Sequence, residues 1–263
     1  MTPPPTAPII VFLAGAAVTT ACWDDWRAFF TREGYTCYAP AWPHKQALAA
    51  ELRSQHPHSP IAQNDLATVL RVYADFIAQL PTKPILIGHS YGGLLVQLLL
   101  QQGTVAAGVA IESAPPRGVV AFKWSLLRAV LPMLGLFSSL KTTFLPSFAH
   151  WQYAIANGLP LAAQRDSYER LACPESKQLI RDALSRRARV DFSRPHAPLL
   201  FLAGGTDRLM PAALNRANFR RYQHAQSITE YRELPGRCHA LLGQPTWRED
   251  AALIARWLAT HVA

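Results

Sequence analysis

One short run of the sequence has the residue types and spacing of a nucleophilic site: Gly88-His89-Ser90-Tyr91-Gly92. A serine with a glycine two residues away on each side fits a tight strand-to-helix turn, where only small residues leave room for the backbone. Such a turn exposes the serine hydroxyl, and the helix N-terminus beside it favours developing negative charge. The run therefore predicts that Ser90 is a nucleophile. The alternative is a structural glycine turn whose serine caps the helix.

The segments around Ser90 have the periodicity that such a turn requires. An apolar run ending at Gly88 predicts a short buried strand, and the residues from Leu94 to Leu100 predict an apolar helix. Other short apolar runs, separated by helical segments, predict strands at 9–13, 35–39, 105–111, 198–203 and 227–234. Strands that alternate with helices indicate an α/β fold, with a mostly parallel sheet of about six strands covered on both faces.

With these elements, the chain from Ile9 to Val262 resembles the α/β-hydrolase family, in particular its serine esterases and lipases with a helical cap. The resemblance implies a core that lacks the family's usual first two strands. It also implies a catalytic triad in the order serine, acid, histidine, with the last two after the final two strands. The matching positions are Asp207 and His239. In this arrangement His239 accepts the proton of Ser90, and Asp207 orients the imidazole and stabilises its cation.

The resemblance further implies two backbone N–H groups that stabilise the oxyanion of the tetrahedral intermediate. The matching donors are Tyr91 and a residue of the loop after the first strand, for which Ala16 is the first choice and Ala17 the second. The sequence departs from the family at Ala14, where a histidine commonly precedes the glycine. We therefore expect this loop to be supported in a different way.

Glu112 is the alternative to Asp207 as the catalytic acid. It ends the strand predicted at 105–111, and some α/β-hydrolases carry their acid after that strand. Its other interpretation is a carboxyl group bonded to its neighbours at the end of the sheet. His89 flanks Ser90, where the resemblance implies a histidine that serves packing, and the remaining histidines match no motif. All of them are interpreted as structural or surface residues.

The segment from 114 to 197 interrupts the alternation of strands and helices. It is rich in leucine and aromatic residues, contains helical stretches and shows no clear strand. We predict that it is an inserted helical cap, and that 1–113 and 198–263 form the hydrolase core. About half of its apolar residues are expected to pack the cap on the core, and the others to line a pocket over Ser90.

Composition limits the partners and the location. The net charge is +9, but basic and acidic residues are mixed and no nucleic-acid-binding module is present, so no nucleic-acid partner is predicted. No metal, cofactor or disulfide is predicted either, because no metal or redox spacing occurs among the four cysteines, Cys22, Cys37, Cys173 and Cys238. No basic residue precedes the apolar run at 9–18, and no run is long enough to span a membrane. We expect a soluble, cytoplasmic protein without stable membrane insertion.

The function predicted on these grounds is hydrolysis of carboxylic esters of small lipophilic substrates through an acyl-enzyme, without a cofactor. The same triad leaves C–C bond hydrolysis, thioester hydrolysis and cofactor-free haloperoxidase chemistry open. A noncatalytic receptor for a small ligand on the same scaffold is the alternative from another class.

Overall fold

A computed structural model describes residues 7–262. The described residues contain eight strands: β1 (Ile9–Leu13), β2 (Thr36–Tyr38), β3 (Ile85–His89), β4 (Ala107–Ile111), β5 (Thr143–Phe144), β6 (Glu175–Ser176), β7 (Leu199–Gly204) and β8 (Thr229–Leu234). Ten α-helices accompany them: α1 (Asp24–Arg32), α2 (Ala49–Ser54), α3 (Leu66–Ala78), α4 (Tyr91–Leu100), α5 (Trp124–Leu134), α6 (Phe148–Ala154), α7 (Leu161–Leu171), α8 (Lys177–Asp182), α9 (Ala212–Phe219) and α10 (Trp247–His261).

Six strands form one parallel sheet in the order β2-β1-β3-β4-β7-β8. Every residue of β1, β3, β4 and β7 is buried, which explains why these strands read as continuous apolar runs instead of alternating ones. The edge strands β2 and β8 are more polar and partly exposed. The predicted fold class, a parallel α/β sheet of about six strands, is confirmed.

Helices cover the sheet on both faces. Buried side chains of α3, α4 and α9 belong to one apolar cluster, together with Val11 and Leu13 of β1. Those of α1 and α10 belong to a second cluster with Ile10 and Phe12, whose side chains point to the opposite face of the same strand. In the second cluster, aromatic rings of α1 pack against Trp247 at the start of α10.

The segment between β4 and β7 contains α5 to α8, in agreement with the helical stretches predicted there. It also contains the antiparallel pair β5–β6, which pairs Thr143 with Ser176 and Phe144 with Glu175. The expectation of no strand in this segment was therefore wrong. Two residues per strand are too few to produce an alternating pattern, so the sequence carries no signal for this pair.

Within residues 7–262, no helix combines the length and the apolar character that a membrane crossing would need.

Candidate active site

Ser90 occupies a strained turn between β3 and α4, with φ 58° and ψ −119°. A non-glycine residue with positive φ is unfavourable unless its surroundings hold it there. The neighbouring glycines make the turn possible, since a Cβ on Gly88 would overlap the backbone of Gly92, and one on Gly92 would overlap the carbonyl of Leu13. The Ser90 amide also donates to the carbonyl of Ile111 at 2.9 Å. The turn therefore presents the hydroxyl beyond the end of β3.

Ser90, His239 and Asp207 form one continuous hydrogen-bonded chain. Nε2 of His239 lies 2.9 Å from Oγ of Ser90, and Nδ1 lies 2.7 Å from Oδ2 of Asp207. All three residues are buried. With Nδ1 carrying the hydrogen, the ring donates to Asp207 and its unprotonated Nε2 accepts from the serine hydroxyl. This arrangement can move a proton from serine to histidine.

Parallel topology explains why residues so distant in sequence meet. Ser90, Asp207 and His239 follow the carboxyl ends of β3, β7 and β8, which all lie at the same edge of the sheet. The Asp207 carboxyl is fixed further by two backbone amides, because its Oδ1 accepts from Leu209 at 2.7 Å and from Met210 at 2.8 Å. These bonds hold the carboxylate in position while Oδ2 faces the imidazole.

Glu112 lies beside this chain without joining it. Its Oε2 is 3.2 Å from Nε2 of His89. The same oxygen is 3.7 Å from Nδ1 of His239, whereas Oδ2 of Asp207 is 2.7 Å from that nitrogen. Burial, reinforced by the nearby charge of Asp207, raises the pKa of the Glu112 carboxyl well above its usual range. Burial and the neighbouring His239 lower the pKa of His89 well below its usual value. A protonated Glu112 that donates to a neutral His89 fits both shifts.

His89, Glu112 and His239 could also be considered as metal ligands, since one ligand atom from each lies within 4.8 Å of the others. Both ring nitrogens of His239 already have hydrogen-bond partners, Ser90 and Asp207. A metal bound through His239 would break one of these bonds. The donor set therefore fits a hydrogen-bonded network better than a metal site.

The loop after β1 approaches Ser90 closely. A Cβ on Gly15 would lie 3.0 Å from the Cβ of Ser90, so glycine permits this approach. Ala16, the first choice as oxyanion donor, lines the same cavity as Ser90 and Tyr91. The amide of Ala17, the second choice, donates to Oε2 of Glu175 at 2.9 Å and is not free for an oxyanion. Tyr91 is the first residue of α4, where a helical N–H lacks an intrahelical partner.

The sequence gives no signal for the residues that support this loop. Glu175 accepts from Ala17 and also from the buried ammonium group of Lys45 at 2.9 Å. A bridge between Val18 and Ala172 attaches the loop to the segment before β6. These contacts support the loop that contains Ala14. Neither Lys45 nor Glu175 lies in a recognisable motif, so only the structure identifies them.

Ser90 and His239 open into an apolar cavity of about 350 Å³ between the sheet edge and α5, α8 and α9. The polar side chains at the cavity wall are those of His89, Ser90, Tyr91 and His239. The cavity is otherwise lined by aliphatic and aromatic groups, including Val130, Met133 and Ile180. Among the residues that the structure describes, a ligand bound there meets polar side chains at the end where Ser90 lies.

The sequence matches a known family model over most of its length. A model of the family described as "Alpha/beta hydrolase family" matches residues 10–252. Curated proteins give no significant match to the sequence.

Similar solved structures cover nearly the whole chain. A monoacylglycerol lipase from Paleococcus ferrophilus is 20% identical with a TM-score of 0.70, over 97% of this chain and 96% of that chain. An extracellular alpha/beta-hydrolase from a Paenibacillus species is 18% identical with a TM-score of 0.71, over 95% and 98%. A pyrethroid hydrolase from Sphingobium faniae JZ-2 is 19% identical with a TM-score of 0.64, over 95% and 96%. At these identities the likeness shows the fold.

Proposed function

The chain belongs to the alpha/beta hydrolase family, and on that premise we propose that it is a serine hydrolase that cleaves carboxylic esters of lipophilic substrates. The observation that carries the proposal is the continuous chain Ser90–His239–Asp207 at the base of an apolar cavity. Its nucleophile stands on a strained turn, its base is in hydrogen-bond reach, and its acid orients the base.

In the proposed mechanism, Oγ of Ser90 attacks the ester carbonyl carbon while its proton passes to Nε2 of His239. The carbonyl oxygen becomes an oxyanion, which accepts from the amides of Tyr91 and Ala16. The resulting imidazolium is stabilised by the Asp207 carboxylate 2.7 Å away. His239 then gives its proton to the leaving alkoxide, so that the alcohol departs and an acyl-enzyme remains.

Water completes the cycle by the reverse sequence. His239 removes a proton from the water, the hydroxide adds to the acyl carbonyl, and the same two amides hold the second oxyanion. When this intermediate collapses, the proton returns to Oγ of Ser90 and the carboxylic acid is released. No step needs an electron acceptor or a cofactor, because the acyl group only exchanges an alcohol for water.

The lining of the cavity supports an apolar substrate. Burial of aliphatic groups against residues such as Val130 and Met133 stabilises binding by about 25 cal/mol per Å² of apolar surface. Two of the similar solved structures carry the names monoacylglycerol lipase and pyrethroid hydrolase, which agrees with a lipophilic substrate class. Thioester, C–C bond and haloperoxidase chemistry stay as alternatives on the same residues.

A noncatalytic receptor is the less favoured function. A receptor needs the cavity but does not need a strained serine, a histidine at 2.9 Å from its Oγ and a carboxylate on the far side of the ring. Backbone strain of this kind destabilises the fold by about 1–3 kcal/mol, and its retention here supports a catalytic role.

We also propose a reducing location such as the cytoplasm. The four cysteines are free thiols, and two of them, Cys173 and Cys238, are buried. Free cysteines are expected where the surroundings keep thiols reduced.

The direct test is hydrolysis of p-nitrophenyl esters by the wild type and by Ser90→Ala. We expect the substitution to lower kcat by at least about 1,000-fold, because it removes the nucleophile and leaves the cavity intact. The matched control is Ser193→Ala, an exposed serine whose hydroxyl donates to Asp191, and its activity should equal that of the wild type. Undiminished turnover by Ser90→Ala would refute the proposal.

A further inference from the structure

The mouth of the cavity carries apolar side chains on the outer surface of the protein. Six residues form this surface, which we call the cap rim: Val120, Phe122, Trp124, Leu127, Leu131 and Leu184. Phe122 is 94% exposed and Trp124 is 77% exposed, although both are large apolar residues. All except Trp124 also line the cavity above Ser90. Exposed apolar groups that are contiguous with a pocket indicate an interaction surface.

Basic side chains flank the cap rim. A second, open groove is lined by four arginines, Arg117, Arg186, Arg189 and Arg221. It adjoins the rim along the chain, since Arg117 lies three residues before Val120 and Arg186 lies two residues after Leu184. Lys123 stands between Phe122 and Trp124 and is exposed.

Few negative charges oppose these groups. The sequence has no aspartate or glutamate from 113 to 165. Within residues 7–262, the four groove arginines and Lys123 form no ion pair. Asp191 is the acid that lines the groove, and its carboxylate bonds to Ser193. The surface around the rim is therefore positively charged.

We infer that the cap rim docks on the surface of an anionic phospholipid bilayer. Phe122 and Trp124 enter the interface between head groups and acyl chains, where aromatic side chains are favoured. The groove arginines and Lys123 contact phosphate and carboxylate groups of the lipids. Because the rim surrounds the cavity mouth, an apolar molecule can pass from the bilayer toward Ser90 without crossing water.

Charge favours this occupant over a second copy of the chain. A symmetric dimer through the cap rim would bring the same basic groups of two molecules together, and each copy carries a net charge of +9. A membrane-spanning arrangement is excluded for α5, because its 11 residues are too few to cross a bilayer. Docking is therefore peripheral and depends on the lipid head groups.

Vesicle binding tests the inference, with the Ser90→Ala variant used throughout so that lipid hydrolysis cannot contribute. We expect vesicles of phosphatidylcholine with phosphatidylserine to bind at least about tenfold more tightly than pure phosphatidylcholine vesicles. The difference should shrink as salt is added, because ions screen the attraction. Equal binding to both vesicles, or no binding to either, would overturn the inference without affecting the proposed esterase activity.

Two pairs of substitutions separate the apolar and the charged contributions. Phe122→Ser with Trp124→Ser, and separately Arg117→Glu with Arg186→Glu, should each weaken binding to the anionic vesicles by about tenfold or more. The matched controls are Leu48→Ser, an exposed leucine that does not line the cavity, and Arg32→Glu with Arg256→Glu on α1 and α10. Both controls should bind as Ser90→Ala alone does.

Sedimentation equilibrium tests whether a second copy of the chain, instead of a bilayer, covers the cap rim. We expect the protein to be monomeric at the concentrations used for vesicle binding, with or without the rim substitutions. A dimer that dissociates on Phe122→Ser with Trp124→Ser would instead show that the rim packs against a second copy, and would overturn the inference.

Discussion

Two carboxyl groups, Asp207 and Glu112, lie near the same imidazole, and their environments make them unequal. Asp207 accepts two backbone N–H groups in addition to His239, so three hydrogen bonds hold its carboxyl group in place. Oε2 of Glu112 has one hydrogen-bond partner, Nε2 of His89, at the long distance of 3.2 Å. Its other oxygen, Oε1, has no hydrogen-bond partner within residues 7–262. Two adjacent buried carboxyls are not both ionised at low cost. With Glu112 held neutral, the proposed mechanism relies on the Asp207 carboxylate, 2.7 Å from Nδ1 of His239, to stabilise the imidazolium.

This difference predicts opposite outcomes for two nearly isosteric substitutions. Asp207→Asn should lower kcat/KM for an ester by about 1,000-fold or more, since an amide cannot stabilise the imidazolium or fix the tautomer. Glu112→Gln should change it by less than about tenfold, because a neutral side chain replaces a neutral one. Measured kcat/KM values with p-nitrophenyl butyrate decide between them. A larger loss for Glu112→Gln than for Asp207→Asn would assign the catalytic acid to Glu112.

The raised pKa of Glu112 also predicts how stability depends on pH. Above the pKa of the unfolded chain, the unfolded state loses this proton while the folded state keeps it, so stability falls as pH rises. The fall continues up to the folded pKa, at about 1.4 kcal/mol per pH unit. Glu112→Gln removes this pH-dependent loss of stability. The free energy of unfolding of the variant minus that of the wild type should therefore increase as the pH is raised from 5.

Urea unfolding at several pH values measures this difference. The control is Glu33→Gln, the same substitution at an exposed position. A constant difference between Glu112→Gln and the wild type across the same range would show that Glu112 is not held protonated.

At the scale of elements, the turn at Ser90 and the loop after β1 differ in how they are held. The Ser90 turn is specified locally, by Gly88, Gly92 and the strand and helix that it joins. The loop is specified by contacts distant in sequence, in which Glu175 bonds both Ala17 and Lys45. The position of Ala16, the proposed oxyanion donor, therefore depends on a segment far along the chain.

Glu175→Gln should therefore affect both stability and catalysis. It leaves the buried Lys45 ammonium without a carboxylate, which costs about 3–5 kcal/mol for a buried ion pair. We also expect kcat to fall more than KM rises, because a displaced Ala16 amide weakens the oxyanion contact and not substrate binding. Denaturant unfolding and steady-state kinetics measure the two effects.

A second variant keeps this prediction testable if Glu175→Gln unfolds. Lys45→Met combined with Glu175→Gln removes the unpaired charge and should recover much of the lost stability while kcat stays low. The exposed Glu169→Gln on α7 is the control. Full activity of the double variant would contradict a role for Glu175 in positioning the loop.

These elements show why part of the fold and site could be predicted from the sequence. Buried parallel strands are short apolar runs between helices, so β1, β3, β4, β7 and the turn at Ser90 were recognisable. Asp207 and His239 were identified through the resemblance to the family, which implies an acid and a histidine after the last two strands. Glu175 and Lys45 act through contacts between residues more than 100 positions apart, which leave no local pattern in the sequence. The strands β5 and β6 have two residues each, which is too short for a recognisable pattern. The catalytic roles themselves stay predictions.

At the scale of the whole molecule, the segment between β4 and β7 covers the edge of the sheet where the three strands end. Its helices α5 and α8 supply much of the apolar wall of the cavity, and the sheet edge supplies Ser90 and His239. In the proposed function, substrate selection and chemistry therefore come from different parts of the chain. The predicted boundaries of the cap, at 114 and 197, stay a prediction.

This division predicts that filling the cavity changes chain-length preference more than chemistry. Val130→Trp on α5 should lower kcat/KM for p-nitrophenyl dodecanoate by about tenfold or more relative to the acetate ester, because the added ring occupies space for the longer acyl group. The control is Ser139→Trp, an exposed position outside the cavity. An equal loss for both esters would contradict the assignment of the cavity to the acyl chain.

The central claim, that Ser90 is an activated nucleophile, is tested most directly by covalent trapping. Intact-mass spectrometry after treatment with a fluorophosphonate should show one adduct per chain, and peptide mapping should locate it on Ser90. The adduct should form together with the loss of esterase activity and should be absent in Ser90→Ala. A wild-type protein that stays unmodified and active, or one whose adduct lies on another serine such as Ser193, would contradict the account.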